Sequence, residues 1–276
     1  MAFSTVNHPD RILHIRIILS GFIIYYCIAS ENRLGKAYYT QKLLTLPLKF
    51  PKKTVAKQIK SKQRVAEHGE VFTAEREVNA MLDLVKPECL RPDSRFLEPA
   101  CGDGNFLSAI LERKLKEIRR KYKSSVRDYE YYSVIAIGSL YGVDIMQDNV
   151  EICRQRLFKI WDKQYKSVCK SDCSEEMRDA IRFIIARNIV CGNALTLMCV
   201  DDKGNDTDVP IVFSEWSPVM KPMVQRQDFT FEEILRKNQE ENPNDAKLID
   251  DSEFTDSEGH FIARYTTHYK KVQQNG

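Results

Sequence analysis

The chain has 276 residues, 42 Lys and Arg against 39 Asp and Glu, a formal net charge of +3 and 43% hydrophobic residues. That length is enough for one large domain with appendages, and the composition is ordinary for a globular protein. The near-neutral balance excludes a polycation, so any contact with nucleic acid must come from local patches. Eight cysteines without a paired framework read as buried or free thiols in a reducing, cytoplasmic compartment rather than as a disulfide scaffold. Cys153, Cys169 and Cys173 form the one cluster, and they lack the spacing and histidine partners of a closed zinc site.

Residues 1–50 do not match the rest of the chain. Ile17 to Ala29 is an apolar and aromatic run behind Arg11 and Arg16, short for a membrane span, with the outline of a secretory signal. Three readings stand: a membrane or export segment, a packed or partner-binding helix, or an extension upstream of the natural domain. Residues 51–68 turn basic, with Lys52, Lys53, Lys57, Lys60, Lys62 and Arg64. A helix here carries a cationic face that is either solvated or set against DNA phosphates. Thr73 is placed to N-cap a helix with Ala74, Val78, Met81, Leu82 and Val85 on one face.

The most informative stretch is Phe96-Leu97-Glu98-Pro99-Ala100-Cys101-Gly102-Asp103-Gly104-Asn105-Phe106-Leu107. It reads as a strand closed by Glu98, a turn, and a helix restarting at Asn105 as N-cap. Pro99 donates no ladder hydrogen bond and suits a strand end. Gly102 and Gly104 allow a sharp turn and close approach of a ligand. Such a corner at the carboxyl end of a parallel strand cradles adenosine-bearing cofactors, although it also occurs as a plain strand-turn-helix corner. A dinucleotide fingerprint wants a third glycine where Leu107 stands. A ligand without a pyrophosphate tolerates Leu107, and Glu98 suits an ammonium group; S-adenosylmethionine meets both conditions.

Downstream, a helix from Asn105 to about Lys123 buries Phe106, Ile110, Leu111, Leu115 and Ile118 and carries a basic outer face. A second helix, about 129–137, ends at Gly138 as a C-cap. Leu140-Tyr141-Gly142-Val143-Asp144 reads as a buried strand whose terminal carboxylate is set either to accept ribose hydroxyls or to cap the next helix. Amphipathic helices occupy about 148–165 and 174–186. Asn188-Ile189-Val190-Cys191 is a third strand leading to Gly192-Asn193-Ala194, where Asn193 has the alternative of a simple turn residue. Val209 to Trp216 reads as a fourth or edge strand. Beyond about Lys221 the chain is polar and unpatterned, and about 238–258 is acidic and flexible.

The string Glu98-Pro99-Ala100-Cys101-Gly102-Asp103-Gly104-Asn105-Phe106-Leu107 resembles motif I of the adenine-N6 DNA methyltransferases of bacterial restriction-modification systems. Gly69-Glu70-Val71-Phe72-Thr73 is similar to motif X of that family, Asp144-Ile145 to motif II, and Gly192-Asn193-Ala194 to motif III. The resemblance covers roughly residues 55–215. It implies an α/β, Rossmann-like S-adenosylmethionine-dependent fold, here incomplete, with a helical N-terminal segment and a flexible acidic C-terminal region. It further implies Phe72 and Thr73 beside the methionine end of the cofactor. Glu98 would meet its ammonium, and Pro99, Ala100, Cys101, Gly102, Gly104, Asn105 and Phe106 would form the turn. Asp144 would hold the ribose, Ile145 the adenine face, and Asn193 with Ala194 the adenine amino group. The expected organisation is an atypical extension over 1–50, a cofactor-binding domain over 51–218 and a polar region over 219–276.

Amino-methylation of a base also needs an aromatic ring for the flipped base and acceptors for its amine. In the family these come from an Asn- or Asp-Pro-Pro-Tyr or -Phe loop, and this sequence has no Pro-Pro pair. Glu215-Trp216-Ser217-Pro218 has an acid, an aromatic and a proline in the wrong order. The expected partners are therefore DNA and a second polypeptide that supplies the catalytic loop and target recognition, with no membrane involved. The alternatives are an inactive cofactor-binding adapter or relic, and a methyltransferase acting on something other than DNA.

Overall fold

The structure is a computed structural model that describes residues 15–19, 22–24, 73–234 and 264–275. The basic stretch 51–68, Gly69 to Phe72 and the acidic stretch 238–258 lie outside the described residues.

Four parallel strands carry the larger sheet: β1 (Ile15–Leu19), β3 (Arg95–Glu98), β4 (Leu140–Asp144) and β5 (Ile189–Asn193). β2 (Phe22–Ile24) flanks it antiparallel at one edge. β6 (Met198–Val200) and β7 (Asp206–Pro210) flank it antiparallel at the other, giving the order β2-β1-β3-β4-β5-β6-β7. The segment expected to be helical thus enters the sheet: Ile15, Ile17, Ile18, Ile23 and Ile24 are β-branched residues that fit a pleated surface.

Parallel neighbours need crossovers. Between β3 and β4 these are α3 (Asn105–Tyr122) and α4 (Val126–Gly138), and between β4 and β5 they are α5 (Gln147–Cys169) and α6 (Glu175–Asn188). α1 (Glu75–Asp83) and the short α2 (Lys86–Cys89) precede β3. Ser125 and Ser174 cap α4 and α6, their hydroxyls accepting from the backbone N–H of Asp128 and Met177, each at 3.3 Å. Thr73 and Asn105 are not the caps expected of them. Ala74 precedes α1 without a side-chain cap, and Gly104, in the left-handed region, precedes α3. The Asn105 amide instead donates to the Thr73 carbonyl, joining the two helix starts to each other.

The two faces of the sheet differ. Phe96 and Leu140 point into one large core with residues of helices α1 to α6, among them Leu82, Leu111, Trp161 and Ile181. Leu97, Tyr141 and Val143, alternating with them, meet a smaller cluster of Ile211, Phe213, Phe229, Phe231 and Ile234. Helices α1 to α6 cover the first face, and on the second the helical turn at 231–234 contributes Phe231 and Ile234.

The second cluster is supplied in part by an antiparallel sheet of β8 (Val212–Pro218), β9 (Met223–Thr230) and β10 (Arg264–His268), in the order β10-β9-β8. The expected strand 209–216 is therefore broken at Ile211, its halves in different sheets. The region past Lys221 that reads as unpatterned holds β9, whose buried positions include Arg226, 4% exposed and bonded to Asp228 through both Nε and Nη2 at 2.8 and 2.6 Å. Gly138 is not a left-handed C-cap. Trp216 lies against it, with side-chain atoms 2.7–2.8 Å from where a Cβ would stand. Among the described residues no helix is long and apolar enough to cross a membrane.

Candidate functional site

β3, β4 and β5 end side by side, with Glu98 opposite Gly142 and Asp144 opposite Cys191. Glu98, Asp144 and Asn193 are thus brought to one edge of the sheet, where open α/β folds bind ligands. The turn after β3 is tied to this edge by backbone. Cys101 N–H donates to Val143 O at 2.8 Å, and Gly104 N–H returns to Cys101 O at 2.8 Å. Gly102 and Gly104 have φ of 52° and 86°, a region that a side chain disfavours. Gly104 has a second reason: a Cβ there would lie 2.6 Å from Cys153 Sγ.

Glu98 is buried, and among the described residues its Oε2 has no hydrogen-bond partner. Burial pushes its carboxyl well above the ordinary carboxylate range, and Cys153, Asp144 and Asp103 push the same way. The Cys101 thiol is also pushed well up, first by a hydrogen bond to Cys153 and then by burial. Burial pushes the Cys191 thiol up to about 11, with Asp144 adding to it. This end of the sheet is an acid-rich environment.

Asp144 does two things. Its Oδ2 accepts from Gly102 N–H at 2.8 Å, while Oδ1 accepts from Met146 N–H at 2.9 Å and Asn149 Nδ2 at 3.2 Å. It fastens the glycine turn and opens α5 at once. Asn193 accepts from Leu195 N–H at 3.0 Å and donates to Asp206 at 3.0 Å, so it also shapes the β5–β6 connection. Ile145 is half-buried, its carbonyl 3.6 Å from Cys191 Sγ. Ala194 packs against the smaller core cluster. Pro99 is half-buried and Ala100 exposed, whereas Phe106 lies in the main core, behind the turn. Phe72 is outside the described residues.

One participant escapes a reading of the sequence. Arg156, on α5, donates from Nη1 to Asn105 Oδ1 at 2.7 Å and pairs with Asp103 Oδ2 at 3.3 Å. Asn105 Nδ2 in turn reaches Thr73 O at 3.4 Å. This relay links the turn, α5 and the entry to α1, and nothing in local spacing marks it. Gly142 is a second such residue. A Cβ on it would meet Leu107 Cδ1 at 2.9 Å and Cys101 Sγ at 3.1 Å, so the close helix–strand approach that a leucine at position 107 would otherwise forbid is granted from the neighbouring strand.

Glu215 and Trp216 do not reach this edge. Glu215 pairs with Arg95, at the opposite end of β3. Trp216 is 4% exposed, edge-on to Phe183 at 6.2 Å and beneath the Arg226 guanidinium.

Residues 73–205 match the family model described as the MmeI DNA-methyltransferase domain. This stretch is similar to a DNA-methyltransferase domain. The matched stretch runs from the entry to α1 as far as the β6–β7 turn and includes Glu98, the glycine turn, Asp144 and Asn193. The chain is also 26% identical over 104 residues to DNA methyltransferase A of Bacillus subtilis (strain 168), a stretch covering 37% of this chain and 12% of that protein. No solved structure matches. A methyltransferase domain implies S-adenosylmethionine as methyl donor in general terms.

Proposed function

We propose that this chain is the S-adenosylmethionine-binding portion of a site-specific adenine-N6 DNA methyltransferase of a restriction-modification or phage-defence system. A second polypeptide supplies the residues that hold the target base. The reading is carried by Glu98: a buried carboxyl with an unsatisfied oxygen, at the tip of a parallel strand beside two glycines of positive φ, matches a ligand that presents an ammonium group beside an adenosine. Glu98 would take the ammonium, the Gly102–Gly104 turn the approach of the ligand, Asp144 the ribose, and Asn193 the adenine amino group, with Phe72 and Thr73 at the methionine end. The bound cofactor would supply an electrophilic methyl group. The chain's own residues bind and orient it, and the acceptor base needs an aromatic ring and amine acceptors from elsewhere, since Glu215 and Trp216 are committed to Arg95 and to the core.

The test is titration calorimetry of the full chain with S-adenosylmethionine, followed by methyl transfer to DNA with and without the product of the neighbouring reading frame. The expected outcome is cofactor binding by the chain alone, DNA methylation only with the partner, and transfer to adenine N6. A chain that binds no cofactor sinks the proposal. A second reading, a non-enzymatic adapter, is supported by the same burial of Trp216, and it predicts cofactor binding without methyl transfer in any mixture.

A further inference from the structure

Glu98 is 4% exposed, and among the described residues its Oε2 has no partner. Among the described residues, the groups that face it are Cys153 from α5, Asp144 from the end of β4 and Asp103 from the glycine turn. Cys101, in the same turn, interacts with it as well. All four are acids or thiols. On the other flank, β1 sets Arg16 level with Phe96, two residues before Glu98. Arg156, the cation bound to this turn, spends its contacts on Asp103 and Asn105. A carboxylate so placed is strongly disfavoured without a cation against it, whereas a carboxylic acid is not.

We propose that this site takes up its ammonium-bearing nucleoside ligand by proton exchange, with Glu98 shedding its carboxylic proton to solvent as the ligand's ammonium docks against it. The inference rests on the proposed cofactor reading and adds how the site selects and regulates that ligand. The balance is simple. A neutral acid and a free ammonium enter, a carboxylate–ammonium pair and one solvated proton leave, and only the O–H bond of Glu98 breaks. The raised position of the Glu98 carboxyl agrees with this.

Linkage has two consequences here. Affinity rises with pH by up to about tenfold per unit while the free site keeps its proton. A nucleoside without the ammonium gains nothing from Glu98, so the site discriminates by charge at the amino-acid end of the ligand rather than by the adenosine alone.

The experiment is calorimetric titration of the full chain with S-adenosylmethionine at about pH 6.5, where the ligand's amine stays protonated, in phosphate, PIPES and imidazole buffers. The observed enthalpy should vary with buffer ionisation enthalpy, with a slope approaching one proton released per ligand bound. Glu98→Gln should bind more weakly with a slope near zero, and 5′-methylthioadenosine, which lacks the ammonium, should give a slope near zero with the unaltered chain. Binding of S-adenosylmethionine with a buffer-independent enthalpy, or an unchanged slope in Glu98→Gln, overturns proton exchange and leaves the cofactor reading intact. No binding of either nucleoside overturns the cofactor reading and this inference with it.

Discussion

The backbone N–H of Gly102 donates to Oδ2 of Asp144 at 2.8 Å, across 42 residues of sequence. The turn after β3 therefore owes its shape to a carboxylate at the end of β4. The second oxygen of that carboxylate holds the start of α5 through Met146 and Asn149. A residue that a sequence reading sets either on a ribose or as the cap of the next helix is not that helix's N-cap, which is Met146; it braces the approach to α5 and, through Gly102, the glycine turn.

Asp144→Asn tests this coupling. An amide offers one acceptor oxygen where the carboxylate offers two, so either the Gly102 or the Met146 N–H loses its acceptor. An unsatisfied, partly buried N–H costs about 1–3 kcal/mol. Chemical denaturation should show a loss in that range, and calorimetry should show cofactor affinity reduced by about tenfold or more, since roughly 1.4 kcal/mol of lost interaction is already tenfold. Unaltered affinity in Asp144→Asn and Asp144→Ala would remove Asp144 from the site.

Much of this was legible beforehand, for identifiable reasons. β3, β4 and β5 are short apolar runs ended by an acid or by Gly192-Asn193, and the helices between them keep apolar spacing, so local pattern and tertiary burial agree. What was not legible depends on partners distant in sequence. β9 hides because Arg226 occupies an inward position, tolerated only through the paired Asp228 and the rings of Phe183, Trp216 and Tyr265. The strand expected at 209–216 divides because Ile211 turns into the second core, its N–H bonded to Leu197 O and its carbonyl to Phe231 N–H.

Gly142 and Leu107 make a second long-range pair. Gly142→Ala forces a methyl group to 2.9 Å from Leu107 Cδ1 and 3.1 Å from the Cys101 side chain. Overpacking of this kind costs about 1–3 kcal/mol. Leu107→Ala alone opens a cavity and should cost about 2–5 kcal/mol. In the double variant the two defects partly fill one another, so its loss in denaturant should be smaller than the sum by about 1 kcal/mol or more. Strict additivity would show that Gly142 is not what admits Leu107.

Arg156→Met separates positioning from stability. The Arg156 side chain is 40% exposed, and exposed ion pairs contribute little, about 0–1 kcal/mol. Its removal nonetheless frees both Asp103 and Asn105, and through Asn105 the hold on Thr73. The expected result is a melting temperature within a few degrees of the unaltered chain and a cofactor dissociation constant raised about five- to tenfold. Arg156→Lys, which keeps a donor and a charge, should recover part of the affinity. Equal affinity in Met and Lys variants would reduce Arg156 to a surface ion pair.

The buried acid gives the stability of the unliganded chain a pH dependence of definite sign. Glu98 has its folded-state pKa raised above an ordinary value near 4.5. Between those two values the folded chain holds a proton that the unfolded chain has released, so stability falls as pH rises through that window, by at most about 1.4 kcal/mol per unit. Below the window both states are protonated and Glu98 contributes no slope. Carboxyls shifted the other way despite burial act oppositely and at lower pH. They include Asp228, held down by Arg226, and Asp162, held down by Lys166 and Arg178; both are common to the unaltered chain and Glu98→Gln, and they cancel between the two. The difference in unfolding free energy, Glu98→Gln minus the unaltered chain, should therefore grow steadily from about pH 5 upward. Denaturant titrations at a series of pH values without ligand measure it directly, and two parallel curves would mean that Glu98 is ionised in the free protein and that its burial is relieved by some group not yet identified.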